Sequence, residues 1–237
     1  MMKRAKLYLE AKKLVNEDQV YPLKEAVEIL KSMPHHKFDE TVEISGKLGI
    51  DPKLSDQMVR GSVVLPHGTG KTIKVLVFCE SEKEKDAKEA GADYIGSEDI
   101  INKILNDGWT DFGCCVSTPS MMRSVSKLGK FLGPRGLMPS PKTGTVTENV
   151  AYAVAEAKRG KIDFRVDKLG CIHVGVGKIS FDKQALNENI SAFIDALVSV
   201  RPQSLKGDFL KSIYVSTTMS PSVRIDVQAK NLGFKND

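Results

Sequence analysis

What most restricts the fold of this chain is a stretch of about 45 residues in its middle. An apolar run from Ile73 to Cys79 leads into a charged, helix-patterned segment from Ser81 to about Ala90 that stops at Gly91. Tyr94-Ile95 follows, then a second helical pattern from Ser97 to Asn106 with Gly108 beyond it, then another apolar run from Phe112 to Val116. Short apolar runs without clean alternation are what strands look like when both of their faces are covered. Helices between such strands return the chain so that they pair in parallel. The middle is therefore predicted to be a compact α/β unit.

The flanks have a different texture. Leu7 to Val15 and Leu23 to Leu30 space their apolar residues by three and four, with Pro22 where a second helix can begin. From Thr41 to Leu48 the pattern changes to alternation, and a second strand-like run follows at Val59 to Leu65, so these two are expected to pair as strands around an Asp51-Pro52 turn. Past the middle, a helix near Pro119 carries Met121, Met122, Val125 and Leu128, and Gly129 to Gly144 reads as a Gly/Pro-rich loop. Val150 to Lys158 is helical, Ile162 to Val166 and Cys171 to Val176 are strands, and Leu186 to Val200 is a helix with Ile190, Phe193, Ile194, Leu197 and Val198 on one face. Ser212 to Ser216 and Ser222 to Val227 form a last hairpin, and Lys230 to Asp237 a loose tail. Strand-rich flanks around a parallel α/β centre point to an inserted domain.

Charge narrows the function. The 237 residues carry 35 Lys and Arg against 30 Asp and Glu, a net charge of +5 that favours a polyanionic partner. Distribution says more than the sum: from Phe112 to Thr147 there is no acidic residue, while Arg123, Lys127, Lys130, Arg135 and Lys142 all fall there. Of the four cysteines, Cys79, Cys114, Cys115 and Cys171, none has CxxC spacing, and they read as small buried residues in a reducing compartment. There is no run of about 18 apolar residues, and the basic start at Lys3, Arg4 and Lys6 leads to Lys12-Lys13 instead of an apolar signal core. A cytoplasmic protein with no membrane partner is expected.

The sequence motifs that suggest catalysis fail on spacing. Gly68-Thr69-Gly70-Lys71-Thr72 resembles a phosphate loop, but Leu65 stands where its first glycine belongs, and a strand follows where a helix should open. Gly175-Val176-Gly177 lacks a third glycine, since position 180 is Ser180. His35 and His36 are adjacent, His67 and His173 stand apart with no carboxylate at ligand spacing, and no serine or cysteine lies in a nucleophile motif. No metal, no cofactor and no enzymatic activity are expected.

Three segments carry residue types suited to RNA. The loop from Ser126 to Gly144 combines glycines, which let a partner approach the backbone, with Lys127, Lys130, Arg135 and Lys142 for phosphates. Ser216-Thr217-Thr218-Met219-Ser220-Pro221-Ser222 crowds hydroxyls and one methionine into a turn, and Lys37-Phe38-Asp39-Glu40-Thr41 leads a strand with one aromatic. By composition alone each would pass as an ordinary surface turn or strand start.

Together and in order, Lys37 to Glu43, Leu48-Gly49-Ile50-Asp51-Pro52, Leu65 to Lys71, Leu132-Gly133-Pro134-Arg135-Gly136-Leu137-Met138-Pro139 and Thr217 to Ser222 resemble the bacterial family of the first large-subunit ribosomal protein, that of the mobile stalk beside the exit site. The resemblance covers nearly the whole chain. It implies a mixed α/β and α+β fold of two domains: a discontinuous α+β domain from residues 1–67 and 160–237, and an inserted Rossmann-like α/β domain at 68–159. It implies a structural constituent of the large ribosomal subunit that binds the stalk region of 23S rRNA and assists release of deacylated tRNA. Repression of translation from its own operon mRNA leader, and a monomeric state when free, are implied as well. Carried over by position, the RNA-binding residues are Lys37, Phe38, Thr41, Lys47, Lys168, Ser212, Thr218 and Met219, with Lys127, Lys130, Arg135 and Lys142 as secondary candidates. Phe38 would supply stacking, the hydroxyls would read 2′-OH and phosphate, and the lysines would neutralise phosphates. One departure lies in a site motif: Ser220 replaces the glycine common before Pro221, adding a side chain to the turn. The rival readings are an α/β enzyme using the insert as a nucleotide domain, which saturable nucleotide binding would reveal, and a regulator acting off the ribosome, which subunit co-sedimentation would separate.

Overall fold

A computed structural model describes residues 6–16, 18–80 and 83–226. In chain order the elements are α1 (Lys6–Lys12), α2 (Leu23–Ser32), β1 (Thr41–Leu48), β2 (Arg60–Val64), β3 (Val75–Phe78), α3 (Glu84–Glu89), β4 (Tyr94–Gly96), α4 (Glu98–Asp107) and β5 (Cys114–Ser117). Then come α5 (Met122–Val125), α6 (Gly129–Leu132), α7 (Val150–Lys158), β6 (Lys161–Arg165), β7 (Cys171–Lys178), α8 (Lys183–Ser199), β8 (Leu210–Thr217) and β9 (Val223–Ile225). Two compact units result: one gathers the described residues up to Gly70 and from Ile162 onward, and the other is Lys71–Lys161. The expected tail at Lys230–Asp237, the last residue of the expected hairpin, Val227, and the start of the expected helix at Ser81 lie outside the described residues.

The first unit is built on an antiparallel sheet in the order β7-β1-β8-β9. Along β1 the side chains alternate: Val42, Ile44 and Leu48 are buried, while Thr41, Glu43, Ser45 and Lys47 point to the opposite face. Helices α2 and α8 cover the buried face. The inner stripe of α8, Leu186, Ile190, Phe193, Ile194 and Leu197, has the three-and-four spacing that keeps one helix side in the core, and each such side chain contributes about 1.5–3 kcal/mol by leaving water. A separate pair, β2-β6, brings Phe164 edge-on against Phe193, ring centroids 5.5 Å apart. The expected pairing of the Thr41–Leu48 and Val59–Leu65 segments does not occur: β1 takes β7 and β8, and β2 takes β6. Nothing in the sequence of either strand names its partner, and the partners lie about a hundred residues away or more.

In the second unit the sheet is parallel, in the order β4-β3-β5. All four residues of β3 are fully buried because each face has its own cover. Val75 and Val77 pack with α3 and α7 through Ala87, Ala153, Val154 and Ala157, whereas Leu76 and Phe78 meet Ile101, Ile104, Leu128 and Leu132. The stretch read as a continuous loop from Gly129 to Gly144 is not one. Gly129–Leu132 is a helical turn and Pro141–Thr143 a 3-10 turn. Leu128 and Leu132, four apart, drop into the core, and Leu137 and Met138 pack against it. Cys79 and Cys115 are buried, Cys114 and Cys171 half-buried. No described helix is long and apolar enough to cross a membrane.

Candidate nucleic-acid interface

The face of the β7-β1-β8-β9 sheet that α2 and α8 leave uncovered is a grid set by register. Lys47 lies between Cys171 and Ser212, Ser45 between His173 and Tyr214, Glu43 between Gly175 and Ser216, and Thr41 opposite Lys178. From Thr41 to Lys47 the row spans about 20 Å, at ~3.3 Å per residue. The residues singled out in the sequence fall at its two ends. Lys37, Phe38, Thr41, Thr218 and Met219 gather at one, and Lys47, Lys168 and Ser212 at the other.

What binds the first end together is Glu40, a carboxylate only 1% exposed. It accepts from the backbone N–H of His36 (2.9 Å), from the Thr217 hydroxyl and from the backbone N–H of Met219 (3.3 Å). The N–H of Thr41 donates to the Thr218 hydroxyl at 3.1 Å. Two segments nearly 180 residues apart in sequence are thereby held edge to edge. Burial pushes the Glu40 carboxyl up, but the hydrogen bonds from His36, Thr217 and Met219, with the nearby His35 ring, outweigh it and hold the group below its ordinary value. Phe38 and Met219, the large apolar side chains on these segments, stand 50% and 46% exposed. The Ser220 hydroxyl accepts from Thr217 N–H at 2.9 Å and donates to Pro221 O at 3.0 Å, so the side chain that replaces the expected glycine closes the turn without obstructing it. No described residue other than glycine has positive φ, so the turn does not need glycine there.

At the other end Lys47 donates to the carbonyl of Leu169, and Lys168 is exposed in the tight turn between β6 and β7. That turn is shaped by Asp167, which accepts from Leu169 N–H (2.8 Å) and Cys171 N–H (2.7 Å), and by Gly170 at φ +75°. The bond from Cys171 leads the causes that hold the Asp167 carboxyl below its usual range.

Sequence reasoning did not single out Glu40, which looked like part of a charged lead-in, nor Lys178, Ser45, His173 and Tyr214. Lys178 donates to Asp39 O (3.0 Å) and the Thr41 hydroxyl (3.1 Å), fixing the strand entry. Ser45 and His173 pair at 3.1 Å. The period-two alternation of β7 and β8 marks these side chains as outward, but only the pairing with β1 shows that they share its face. Of the secondary candidates, Lys127, Lys130, Arg135 and Lys142 are exposed in the second unit, with Arg135 donating to the Thr110 hydroxyl. His67, read as lacking a carboxylate, has one: Glu188 of α8 lies 2.6 Å from its ring, a contact made by the fold and invisible in spacing. Among the described residues no group of three or more His, Cys, Asp and Glu gathers as a cation site.

The site is thus a polar sheet face with two half-exposed apolar side chains at its rim, on a unit whose chain is interrupted by the parallel α/β unit. Residues 30–221 match the Ribosomal protein L1p/L10e family, and the chain belongs to it. It is 57% identical over 230 residues to the large ribosomal subunit protein uL1 of Persephonella marina, covering 96% of this chain and 95% of that protein. The family is one of ribosomal proteins, not of enzymes.

Proposed function

We propose that this chain is a structural constituent of the large ribosomal subunit that binds the stalk region of 23S rRNA with the outer face of its β7-β1-β8-β9 sheet. At the cytoplasmic ribosome it assists release of deacylated tRNA from the exit site, and off it, as a monomer, it represses translation of its own operon. The observation that carries the reading is the Glu40 tie, which juxtaposes the Phe38 and Met219 segments and aligns Thr41 and Thr218. RNA helices are read through shape, 2′-OH groups and backbone, and the hydroxyls that β8 presents at Ser212, Tyr214 and Ser216 beside Thr41 and Ser45 of β1, with lysines at both ends of the face, suit that mode. A leader mRNA folded into the same junction presents the same backbone and competes for the same face.

The test is titration of the full-length protein with the 23S rRNA stalk fragment across salt, beside Phe38→Ala and Met219→Ala. Tight wild-type binding, weakened in both variants and falling linearly in log K against log salt, is expected. Wild-type binding no tighter than to an unrelated RNA duplex would refute the reading.

A further inference from the structure

At the end of the sheet face that Glu40 holds together, two rings lie next to each other. The His36 imidazole and the Phe38 ring are stacked, with centroids 6.1 Å apart and planes inclined by 24°, which is within the range over which aromatic pairs pack with an offset. We propose that His36 is a further RNA-contacting residue, its ring extending that of Phe38 into one platform on which a single unpaired base of the RNA stacks. This rests on the RNA-binding reading above and adds to it a residue and the chemistry of what that residue meets.

Three observations carry it. The first is that the platform exists before any RNA arrives. His36 is anchored through its main chain, whose N–H donates to Glu40 at 2.9 Å, and the same carboxylate accepts from Met219 N–H at 3.3 Å. A site formed in advance of its ligand loses little in ordering. Exposure is the second. Atoms of packed rings meet at about 3.5–4.0 Å, so centroids 6.1 Å apart belong to rings displaced sideways, neither of which covers the other. Phe38 accordingly stays 50% exposed, and His36 is half-buried. The third is the surroundings. Lys37, between the two rings in sequence, is exposed, and the hydroxyls of Thr41 and Thr218 and the side chain of Met219 adjoin the same end. Both acids of the segment are engaged: Asp39 accepts from Ser180 N–H at 3.2 Å and from its hydroxyl at 2.9 Å, and Glu40 is buried. Rings for a base, a cation for phosphate and hydroxyls for 2′-OH groups are the set that recognises a nucleotide outside a helix. The base is unpaired because inside a helix its two faces are covered by its neighbours, and only a splayed base can lie on a ring.

Full-length protein is titrated with the 23S rRNA stalk fragment, intact and in versions each made abasic at one unpaired nucleotide. His36→Ala is expected to bind the intact fragment about fivefold or more weakly, the lower edge of what one base gains on one ring. His36→Phe keeps a ring and should restore most of the affinity, whereas His36→Leu, apolar and of similar size without one, should not. All three variants keep the backbone N–H that Glu40 holds, so their melting by circular dichroism should match wild type; if the alanine melts early, the leucine and phenylalanine pair carries the comparison alone. At about pH 8, where imidazole side chains are neutral, the slope of log K against log salt should be the same in wild type and His36→Ala. A shallower slope in the variant would assign His36 to a phosphate and overturn the platform. One abasic fragment should bind wild type and His36→Ala equally, because the base that distinguishes them is gone, and a deficit persisting on every abasic fragment would also overturn it. Unchanged affinity in His36→Ala, with Phe38→Ala and Met219→Ala still weakening binding, would overturn the platform and leave the RNA face standing. A wild type with no preference for the stalk fragment over an unrelated RNA duplex would overturn both.

Discussion

Replacing Glu40 by glutamine tests whether one buried carboxylate organises the RNA face. Its acceptors serve His36 N–H, Thr217 O–H and Met219 N–H. A glutamine amide keeps one acceptor oxygen and turns the other into a donor, which then faces a donor. Thr217 is 3% exposed, so its hydroxyl cannot turn to water, and leaving such a group unsatisfied costs about 1–3 kcal/mol. The two N–H groups are part-buried and recover some hydration, so a total loss of about 2–4 kcal/mol follows, with hydrogen bonds to charge near 1.5–3 kcal/mol each before relaxation. For a unit of about 150 residues that lowers Tm by roughly 4–16 °C. The pH dependence gives the sharper check. Because the folded carboxyl lies below its ordinary value of 4.5, its stabilisation is complete above that pH and disappears as pH falls through the folded value. The Tm difference between wild type and Glu40→Gln, followed by far-UV circular dichroism, should be full at pH 7 and shrink below pH 4.5. Stalk RNA affinity at pH 7 should fall with it, since Met219 and Phe38 lose their common anchor. A Tm difference that stays constant from pH 7 to pH 3 would refute the reasoning.

Phe38→Ala and Met219→Ala remove side chains that are half in water, so each should leave Tm within about 1–2 °C of wild type; loss of a stacking contact worth ~1–3 kcal/mol should lower RNA affinity roughly 5- to 150-fold in filter-binding titrations. Asn189→Ala, by contrast, should destabilise without touching that face. This fully buried amide accepts from His67 N–H at 3.0 Å and donates to Gly68 O at 2.9 Å and Val176 O at 2.8 Å, and abandoning these groups costs about 3–5 kcal/mol, read in urea denaturation by circular dichroism. The single tryptophan, Trp109, packs edge-on against Tyr94 in the second unit, and its fluorescence transition should not move in the same experiment. A chain joining residues 1–70 to 160–237 should keep most of the stalk RNA affinity by the same titration. The cut falls after Gly70 and not after His67 because Gly68 O is one of the groups Asn189 holds.

Legibility in the sequence followed the range of the interactions. The parallel unit was readable because a strand covered on both faces must be apolar at successive positions, as Val75, Leu76, Val77 and Phe78 are. Helix α8 was readable from its stripe, although Asn189, inside that stripe, offered no hint of the three backbone groups it binds. The Gly/Pro texture of 129–144 hid the helical turn at Gly129–Leu132, although the apolar residues interleaved there, Leu132, Leu137 and Met138 among them, already pointed to packing against the domain. Strand pairing was the failure with a physical reason: alternation tells which side chains share a face and nothing about which strand lies alongside. Assigning β1 to its neighbour β2 followed chain proximity, whereas the fold interposes β1 between two strands from the far end of the chain.

The interface was unreadable from pattern for a related reason. Phe38, Thr218 and Met219 each occupy surroundings that are ordinary for a strand start or a turn, and only the order of several motifs along the chain singled them out. Their convergence depends on Glu40, whose burial depends on the pairing of β1 with β8 that local pattern does not specify. An acid kept ionised in the interior of a marginally stable unit is costly unless every acceptor is used, and here the donors come from both segments that carry the exposed apolar side chains. The same long-range pairing sets Tyr214 beside Arg224 and opposite Ser45. Residues that look unremarkable one at a time thus form a continuous surface because β8 joins the strands on either side of it, and a change that breaks β8's pairing should disable both ends of the exposed row together.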